Sequence, residues 1–292
     1  MNHFGEIARM TRACRPDIGV ITNIGVSHIE YLGSRDGILQ AKTELLEGMQ
    51  AGSPLLLNGD DDKLSAYQNP NFSVRYFGIE NPNVWVRATQ IHTENGETRF
   101  TVQFPRGTQA VRLPCVGKHN VYNALAAFGV GLCLEIPPER IAQGLQNYRP
   151  AGMRQRIRTV NGITVIEDCY NASPDSQKAA LQVLGSLPAA RKIAVLGDML
   201  ELGDYAAEAH KAVGRYAAEQ HLDLLYCYGA LATHIAAAAQ DAVKTVCFTD
   251  KAEMTRALLQ TLQDGDAVLF KASRGMALEE VIENPYKEWE RE

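Results

Sequence analysis

The hydrophobic positions of this chain fall into short runs separated by turn residues. Ile18–Thr22 (IGVIT) is a β-branched run bounded by Asp17 and Asn23, and Leu55–Leu57 is a second, left through the turn Asn58-Gly59-Asp60-Asp61-Asp62. Runs of this length between turn signals predict buried strands. Between them a loop over 24–36 leads into a helical stretch ending near Gly48, which makes a β-α-β rhythm. Nothing before residue 18 reads as a strand or helix, so the pattern is expected to begin partway into a domain. Residues 73–79, 84–92, 98–104 and 109–114 alternate apolar with polar positions and predict several antiparallel strands, and 119–134 with 138–145 carry helical spacing. A module mixing parallel and antiparallel strands follows.

The pattern breaks at Tyr148-Arg149-Pro150-Ala151-Gly152 and restarts with a hairpin signal at Asn161-Gly162 between two apolar runs. The boundary is set there, giving domains 1–149 and 150–292. Beyond it, strands at about 163–167, 192–197, 223–227, 244–248 and 267–271 alternate with helical stretches at about 174–186, 204–220, 229–239, 250–262 and 277–288. Such alternation predicts an α/β fold with a Rossmann-like, doubly wound parallel sheet. Sheets of this kind bind ligands beyond the carboxyl ends of their strands. The polar clusters Asp168-Cys169-Tyr170-Asn171, Gly197-Asp198-Met199 and Lys271-Ala272-Ser273-Arg274 all fall there.

Composition narrows the class. The 292 residues, 46% hydrophobic and 22% charged, exclude a disordered chain, and a length of this size leaves room for two cores. A net charge of -5 without a basic block offers no track for a nucleic-acid backbone. The six cysteines at 14, 115, 133, 169, 227 and 247 form no C-x-x-C pair and read as reduced thiols. No stretch is long and apolar enough for a membrane span, and residues 1–12 lack the apolar segment of a secretory signal, so a cytoplasmic protein is expected. Gly117-Lys118 is followed by His119, which defeats a G-x-x-x-x-G-K-[ST] phosphate loop, and G-x-G-x-x-G is absent.

Taken singly, the remaining polar groups have ordinary readings. His28 in Thr22-Asn23-Ile24-Gly25-Val26-Ser27-His28 is a loop histidine just past a strand, and Lys42, two residues before Glu44, is a helix cation. Asn120 and Asn123, three apart, share a face at the start of a helix, where free N–H groups favour anions or where a side chain simply caps the helix.

The set is more specific than its members. NHFGEI (2–7), TNIGVSHIEYLGS (22–34), AKTELL (41–46), NGDDD (58–62), GKHNVYNALAA (117–127), GMRQR (152–156), EDCYNASPDS (167–176), LGDMLELG (196–203) and KASRGMALEEV (271–281) resemble, in order and along the whole chain, the Mur ligases of peptidoglycan synthesis. Within that family they are similar to the branch that adds D-Ala-D-Ala to UDP-N-acetylmuramoyl-tripeptide. The branch that adds the third residue carries a D-N-P-R signature with no counterpart here.

The resemblance implies a partial central ATPase domain followed by the Rossmann-like ligase domain, with ATP and Mg²⁺ as cofactors. It implies that ATP phosphorylates the tripeptide's carboxylate and that the dipeptide amine attacks the acyl phosphate. His28 would help hold Mg²⁺, and Lys42 would do so as a carbamate, which needs a lysine of lowered pKa. His119, Asn120 and Asn123 would face the nucleotide, Arg154 would reach ATP from the interdomain linker, and Asp168 would contact the nucleotide once a hinge near Pro150 closes. Asn2 and His3 would line the UDP-substrate channel, and Asn171, Ser273 and Arg274 would serve the incoming dipeptide or the acyl phosphate. The whole protein is expected to be a monomer.

Departures from the family are expected to matter. Its N-terminal domain, phosphate loop and a Mg²⁺-binding glutamate before NHFGEI have no counterpart, which predicts an inactive fragment with an exposed apolar surface; Ser173 and Ala272 stand where many relatives have asparagine and glycine. Two other functions stay open at this point, a peptide- or partner-binding module without catalysis and another amide ligase such as a folylpolyglutamate synthase.

Overall fold

Each half of the chain builds its own six-stranded sheet. The computed structural model describes residues 1–94, 96–149 and 152–283 and separates into the units Met1–Arg149 and Pro150–Glu292. Pro150 and Ala151, on which the expected boundary and hinge fall, lie outside the described residues.

The first unit runs α1 (Glu6–Cys14), β1 (Gly19–Ile21), α2 (Ile29–Leu32), α3 (Arg35–Thr43), a 3₁₀ turn at Glu44–Gly48, β2 (Pro54–Asn58), β3 (Ser73–Gly78), β4 (Val86–Glu94), β5 (Glu97–Phe104), β6 (Gly107–Leu113), α4 (Lys118–Cys133) and α5 (Pro138–Gln146). The sheet order is β1 through β6 in sequence, with β1 to β4 parallel to their neighbours and β4–β5–β6 antiparallel. Leu55, Leu56 and Leu57 on β2 are all fully buried, as expected of a parallel strand covered on both faces. Leu56, Phe77, Val86 and Val102 pack against Val121, Leu125 and Phe128 of α4 to form the core.

Three expectations are corrected here. The strand at 73–79 is parallel to both neighbours, because a period of two identifies a strand and says nothing about the direction of its partners. The loop 24–36 contains the single turn α2. A nine-residue helix, α1, precedes β1 where none was expected. Its start carries no local cap, since Gly5 is left-handed with φ 86° and no side chain bonds the first turn from Gly5 itself. The capping comes instead from Glu44, whose carboxylate oxygens accept Gly5 N at 2.7 Å and Ala8 N at 3.1 Å. A carboxylate from 36 residues away satisfies the free N–H groups and the positive helix end, so no start signal is written near residue 5.

The second unit runs β7 (Arg156–Val160), β8 (Ile163–Glu167), α6 (Pro174–Ser186), β9 (Arg191–Gly197), α7 (Ala206–Ala218), β10 (Leu224–Tyr228), α8 (Thr233–Ala239), β11 (Thr245–Phe248), α9 (Lys251–Thr261) and β12 (Asp266–Lys271). The order β11-β10-β9-β12-β8-β7 is parallel except for β7, which pairs antiparallel with β8 through a turn whose Asn161 and Gly162 both have positive φ, 46° and 72°. Every residue of β12 is buried, and Ile193, Val195, Val268 and Phe270 pack with Met254, Leu258 and Val281. The helix expected over 277–288 is seen at 279–283, and residues 284–292 lie outside the described set. Among the described residues no helix is long and apolar enough to cross a membrane.

Candidate functional site

In the first unit, polar groups gather past the carboxyl ends of β1 and β2. Lys42, in the last turn of α3, donates from Nζ to the carbonyl of Asn23 at 2.6 Å. Burial holds its ammonium below the usual lysine range, a shift that the nearby Asp61 partly opposes. Asp61 ties the two strand-end loops together: one oxygen accepts Ile24 N at 2.7 Å, and the other accepts Lys63 N and Leu64 N, each at 3.0 Å. Arg35 adds a bond from Nε to the Ile24 carbonyl at 2.9 Å and an ion pair to Asp62. His28 is half-buried at the start of α2, left-handed with φ 65°. The ring of His3 meets that of Tyr31 on α2 edge to face at 5.2 Å, and Asn2 N donates to Glu6 at 2.8 Å. His28 and Lys42 thus lie on the segment from α2 to the end of α3, His3 reaches it through Tyr31, and Asn2 bonds Glu6 at the start of α1.

Asp60 connects this edge to α4. Its carboxylate accepts Ile79 N at 2.6 Å, Glu80 N at 2.9 Å, Asn81 N at 2.7 Å and the Tyr122 hydroxyl at 2.8 Å. Burial pushes its pKa up, but these donors outweigh burial and the net shift is downward. Burial and the Asp60 charge raise the Tyr122 phenol. Asn120 donates from its side chain to the Val116 carbonyl at 2.8 Å, holding the turn into α4, while Asn123 is exposed one turn on and His119 is half-buried. The helix enters through Gly117 without a side-chain cap from that residue.

In the second unit, the three clusters expected at the strand ends are knitted into one network. Lys271, 2% exposed at the end of β12, donates to Asp168 Oδ2 at 2.7 Å and to the carbonyl of Asn171 at 3.1 Å. The other Asp168 oxygen accepts Gln155 N at 3.2 Å, and Tyr170 N donates to the carbonyl of Met153 at 3.3 Å. Between those two bonds Arg154 lies over the Tyr170 ring, 3.9 Å from its centroid. Ser273, 3% exposed, accepts Leu200 N at 2.9 Å and donates to the Ala172 carbonyl at 3.5 Å, so its hydroxyl joins two loops. Asp198 accepts Ala232 N at 2.6 Å, and its carbonyl accepts Ser273 N at 3.1 Å. Asn171 is exposed and accepts Ala172 N at 2.8 Å, and Arg274 pairs with Glu279 at 2.5 Å.

Several of these groups carry no mark in the sequence. His210 is fully buried: Nε2 accepts Met199 N at 2.9 Å and Nδ1 donates to the Ala206 carbonyl at 2.6 Å, which fixes the neutral tautomer. Burial holds its pKa below the usual histidine range against that carbonyl and Asp198. Gln177, also fully buried, donates to the Gly197 carbonyl at 3.0 Å. Glu44, Asp60 and Asp61 likewise read as ordinary acids in helix and turn. Only the clustering of acids in NGDDD hinted at more, and it does not say which N–H groups they take.

Among the described residues no three His, Cys, Asp or Glu side chains gather as a metal-binding group. Carbamylation of Lys42 would add an oxygen donor for a hard cation at this edge, and its lowered pKa fits that change. A cleft of about 570 Å³ beside α5, with Arg99, Arg112 and Arg140 on its walls, includes none of the candidate residues.

Comparison with known proteins agrees with this layout. The Mur ligase middle domain matches residues 1–131, and the Mur ligase glutamate ligase domain matches residues 153–274. The chain is 39% identical to UDP-N-acetylmuramoyl-tripeptide--D-alanyl-D-alanine ligase of Bacillus subtilis (strain 168), covering 97% of this chain and 62% of that protein. It superposes on a crystal structure of MurF from Acinetobacter baumannii with a TM-score of 0.89 at 32% identity, over 97% of this chain and 62% of the other. The MurF ligase of Thermotoga maritima in complex with ADP gives a TM-score of 0.88 at 25% identity, over 99% and 66%. The chain thus spans about 62% of the length of the curated relatives it matches.

Proposed function

Because this chain belongs to the Mur ligase family, we propose that it is the part of an ATP-dependent ligase that joins D-Ala-D-Ala to UDP-N-acetylmuramoyl-tripeptide through an acyl phosphate, in the cytoplasm. The observation that carries this reading is Lys42, a partly buried lysine of lowered pKa held beside Asp61 at a carboxyl strand edge. A lysine held nearer neutrality is the one able to take up CO₂ as a carbamate, and an ordinary solvated helix lysine is not.

In the proposed reaction the tripeptide carboxylate oxygen attacks the γ-phosphorus of ATP and ADP leaves. The dipeptide amine then attacks the acyl carbon and expels phosphate, giving an amide. Lys42, as a carbamate, and His28 would hold Mg²⁺, which supplies charge neutralisation at the phosphates. His119, Asn120 and Asn123 at the start of α4 face the nucleotide. Asn2 and His3 line the path of the UDP substrate, which is consistent with His3 packing on α2. Arg154 brings a cation to the phosphates from a segment anchored on Asp168. Asn171, Ser273 and Arg274 serve the dipeptide or the acyl phosphate, Ser273 through the two loops that it joins.

The test is phosphate release with ATP, Mg²⁺, UDP-MurNAc-tripeptide and D-Ala-D-Ala. It is run on this chain and on a form extended upstream to the length of the curated relatives. Turnover that needs both D-Ala-D-Ala and the tripeptide is expected in the extended form. Turnover with glutamate in place of the dipeptide, or none in either protein, overturns the proposal.

A further inference from the structure

At the far end of α4 the first unit carries another cleft, of about 420 Å³. The helix ends at Cys133, so at about 1.5 Å per residue this end lies roughly 20 Å along the axis from Asn120. The walls of the cleft are held by the core. Trp85 N donates to the Tyr76 carbonyl at 2.8 Å, and the indole backs onto Gly129 of α4, where an added Cβ would lie 3.5 Å from the ring. Phe104 meets the fully buried Phe128 with ring centroids 5.7 Å apart. Trp85, Phe104, Leu132 and Cys133 are partly buried and pack on the core of the unit, which leaves one side of each facing the cleft.

Over this apolar surface lies a charge without a counter-ion. Arg75 of β3 is half-buried, with its guanidinium 4.5 Å from the centroid of the Trp85 ring and an N–H donated to Cys133 Sγ at 3.5 Å. Burial raises the pKa of that thiol, so it stays protonated at neutral pH. Both partners are therefore uncharged, and among the described residues no carboxylate pairs with Arg75. A guanidinium drawn partly out of water is costly unless an anion reaches it. Stacking on Trp85 engages the face of the guanidinium and leaves edge N–H donors in the fork that matches a carboxylate.

Arg106, exposed on the turn between β5 and β6, lines the same cleft, and among the described residues it has no ion pair either. The acid on these walls is the exposed Glu135, so two cations face one anion. The wider cleft beside α5 differs, since its Arg112 is already paired with Glu97.

We propose that the cleft between Trp85 and the end of α4 binds a small carboxylate with an aromatic or branched apolar body. The body lies against Trp85, Phe104 and Leu132, and the carboxylate bonds Arg75 and Arg106. No step of the proposed ligation uses these residues, so the inference does not depend on that reading.

The test uses the whole chain carrying Trp289→Phe, which leaves Trp85 as its single tryptophan, and 3-phenylpropionate as the probe. Titration is expected to change the Trp85 fluorescence saturably, with half-saturation at or below about 1 mM, and to move the Trp85 Nε1–H resonance. The uncharged isostere 3-phenylpropionamide and the small carboxylate acetate should each bind at least about tenfold more weakly. Arg75→Met, which keeps an apolar stem on Trp85, should weaken the probe by about tenfold. Arg106→Gln, on an exposed turn, should weaken it by roughly threefold and covers the case of an Arg75 variant that fails to fold. The amide binding as tightly as the carboxylate shows an apolar pocket only, acetate binding as tightly shows an unspecific anion patch, and either overturns the inference. So does the lack of a saturable change up to about 10 mM probe. An affinity unchanged in Arg75→Met, or in Arg106→Gln where the Arg75 variant does not fold, overturns it as well.

Discussion

Replacing Asp60 probes the link between the strand-end loops and α4. Four donors, three backbone N–H groups and the Tyr122 hydroxyl, converge on its carboxylate at 2.6 to 2.9 Å. A hydrogen bond to a charged group contributes about 1.5–3 kcal/mol, which gives roughly 6–12 kcal/mol for four if they were independent. They share one acceptor, and only Ile79 among the donor residues is buried, so water recovers much of the loss at Glu80, Asn81 and Tyr122. Asp60→Ala is therefore expected to destabilise the first unit by about 3 kcal/mol, a fall in melting temperature of roughly 6–12 °C for a unit of this size.

Asp60→Asn keeps the shape and is expected to lose about half as much, because its NH₂ must face a backbone N–H. The assay is urea unfolding followed by a probe in the first unit, across pH. The folded pKa of Asp60 is depressed, so its contribution is fully present above the unfolded value of about 4 and is lost as pH falls through the lower folded value. The gap between the native protein and Asp60→Asn should be constant from about pH 7 to pH 5 and close below about pH 4. A cost under about 1 kcal/mol for Asp60→Ala, or a gap indifferent to acid, refutes the view of this carboxylate as the hub of that edge.

The remaining predictions concern other elements. His210, held neutral by burial, binds protons less readily folded than unfolded, so the second unit should lose stability as pH falls below about 6.5 and be level above it; His210→Gln should flatten that slope in urea midpoints compared at pH 5 and pH 7. Lys42 should give a carbamate signal in ¹³C NMR with ¹³CO₂ that grows as pH rises, and Lys42→Arg should abolish it. A Cβ on Gly214 would lie 2.3 Å from the Ile235 carbonyl between α7 and α8, so Gly214→Ala should cost about 2–3 kcal/mol. Gly144, inside α5 with open space around it, should gain roughly 0.5–1 kcal/mol as alanine, and both changes are read by denaturant midpoint.

The chain's own pattern determined a good deal. The leucine run at 55–57, the alternation over 98–104 and the Asn161-Gly162 turn each state their element locally, because burial periodicity and positive-φ turn chemistry are properties of a few adjacent residues. The Rossmann-like alternation of strand and helix in the second unit followed from the same signals, and the polar clusters at its strand ends were visible as sequence. Only the folded unit decided what depends on residues far apart. The parallel pairing of β3 needed its neighbours on both sides, and α1 needed a cap from Glu44, which no window around residue 5 contains. In the same way the sequence shows Asp168 as an acid at a strand end and names none of its donors. Its two oxygens are assigned by Lys271, 103 residues away, and by Gln155, 13 residues before it. Local pattern fixes which backbone shape a segment takes. Which donors a carboxylate finds, and so whether it binds a ligand or holds another side chain, is set by contacts that exist only after the sheet has closed.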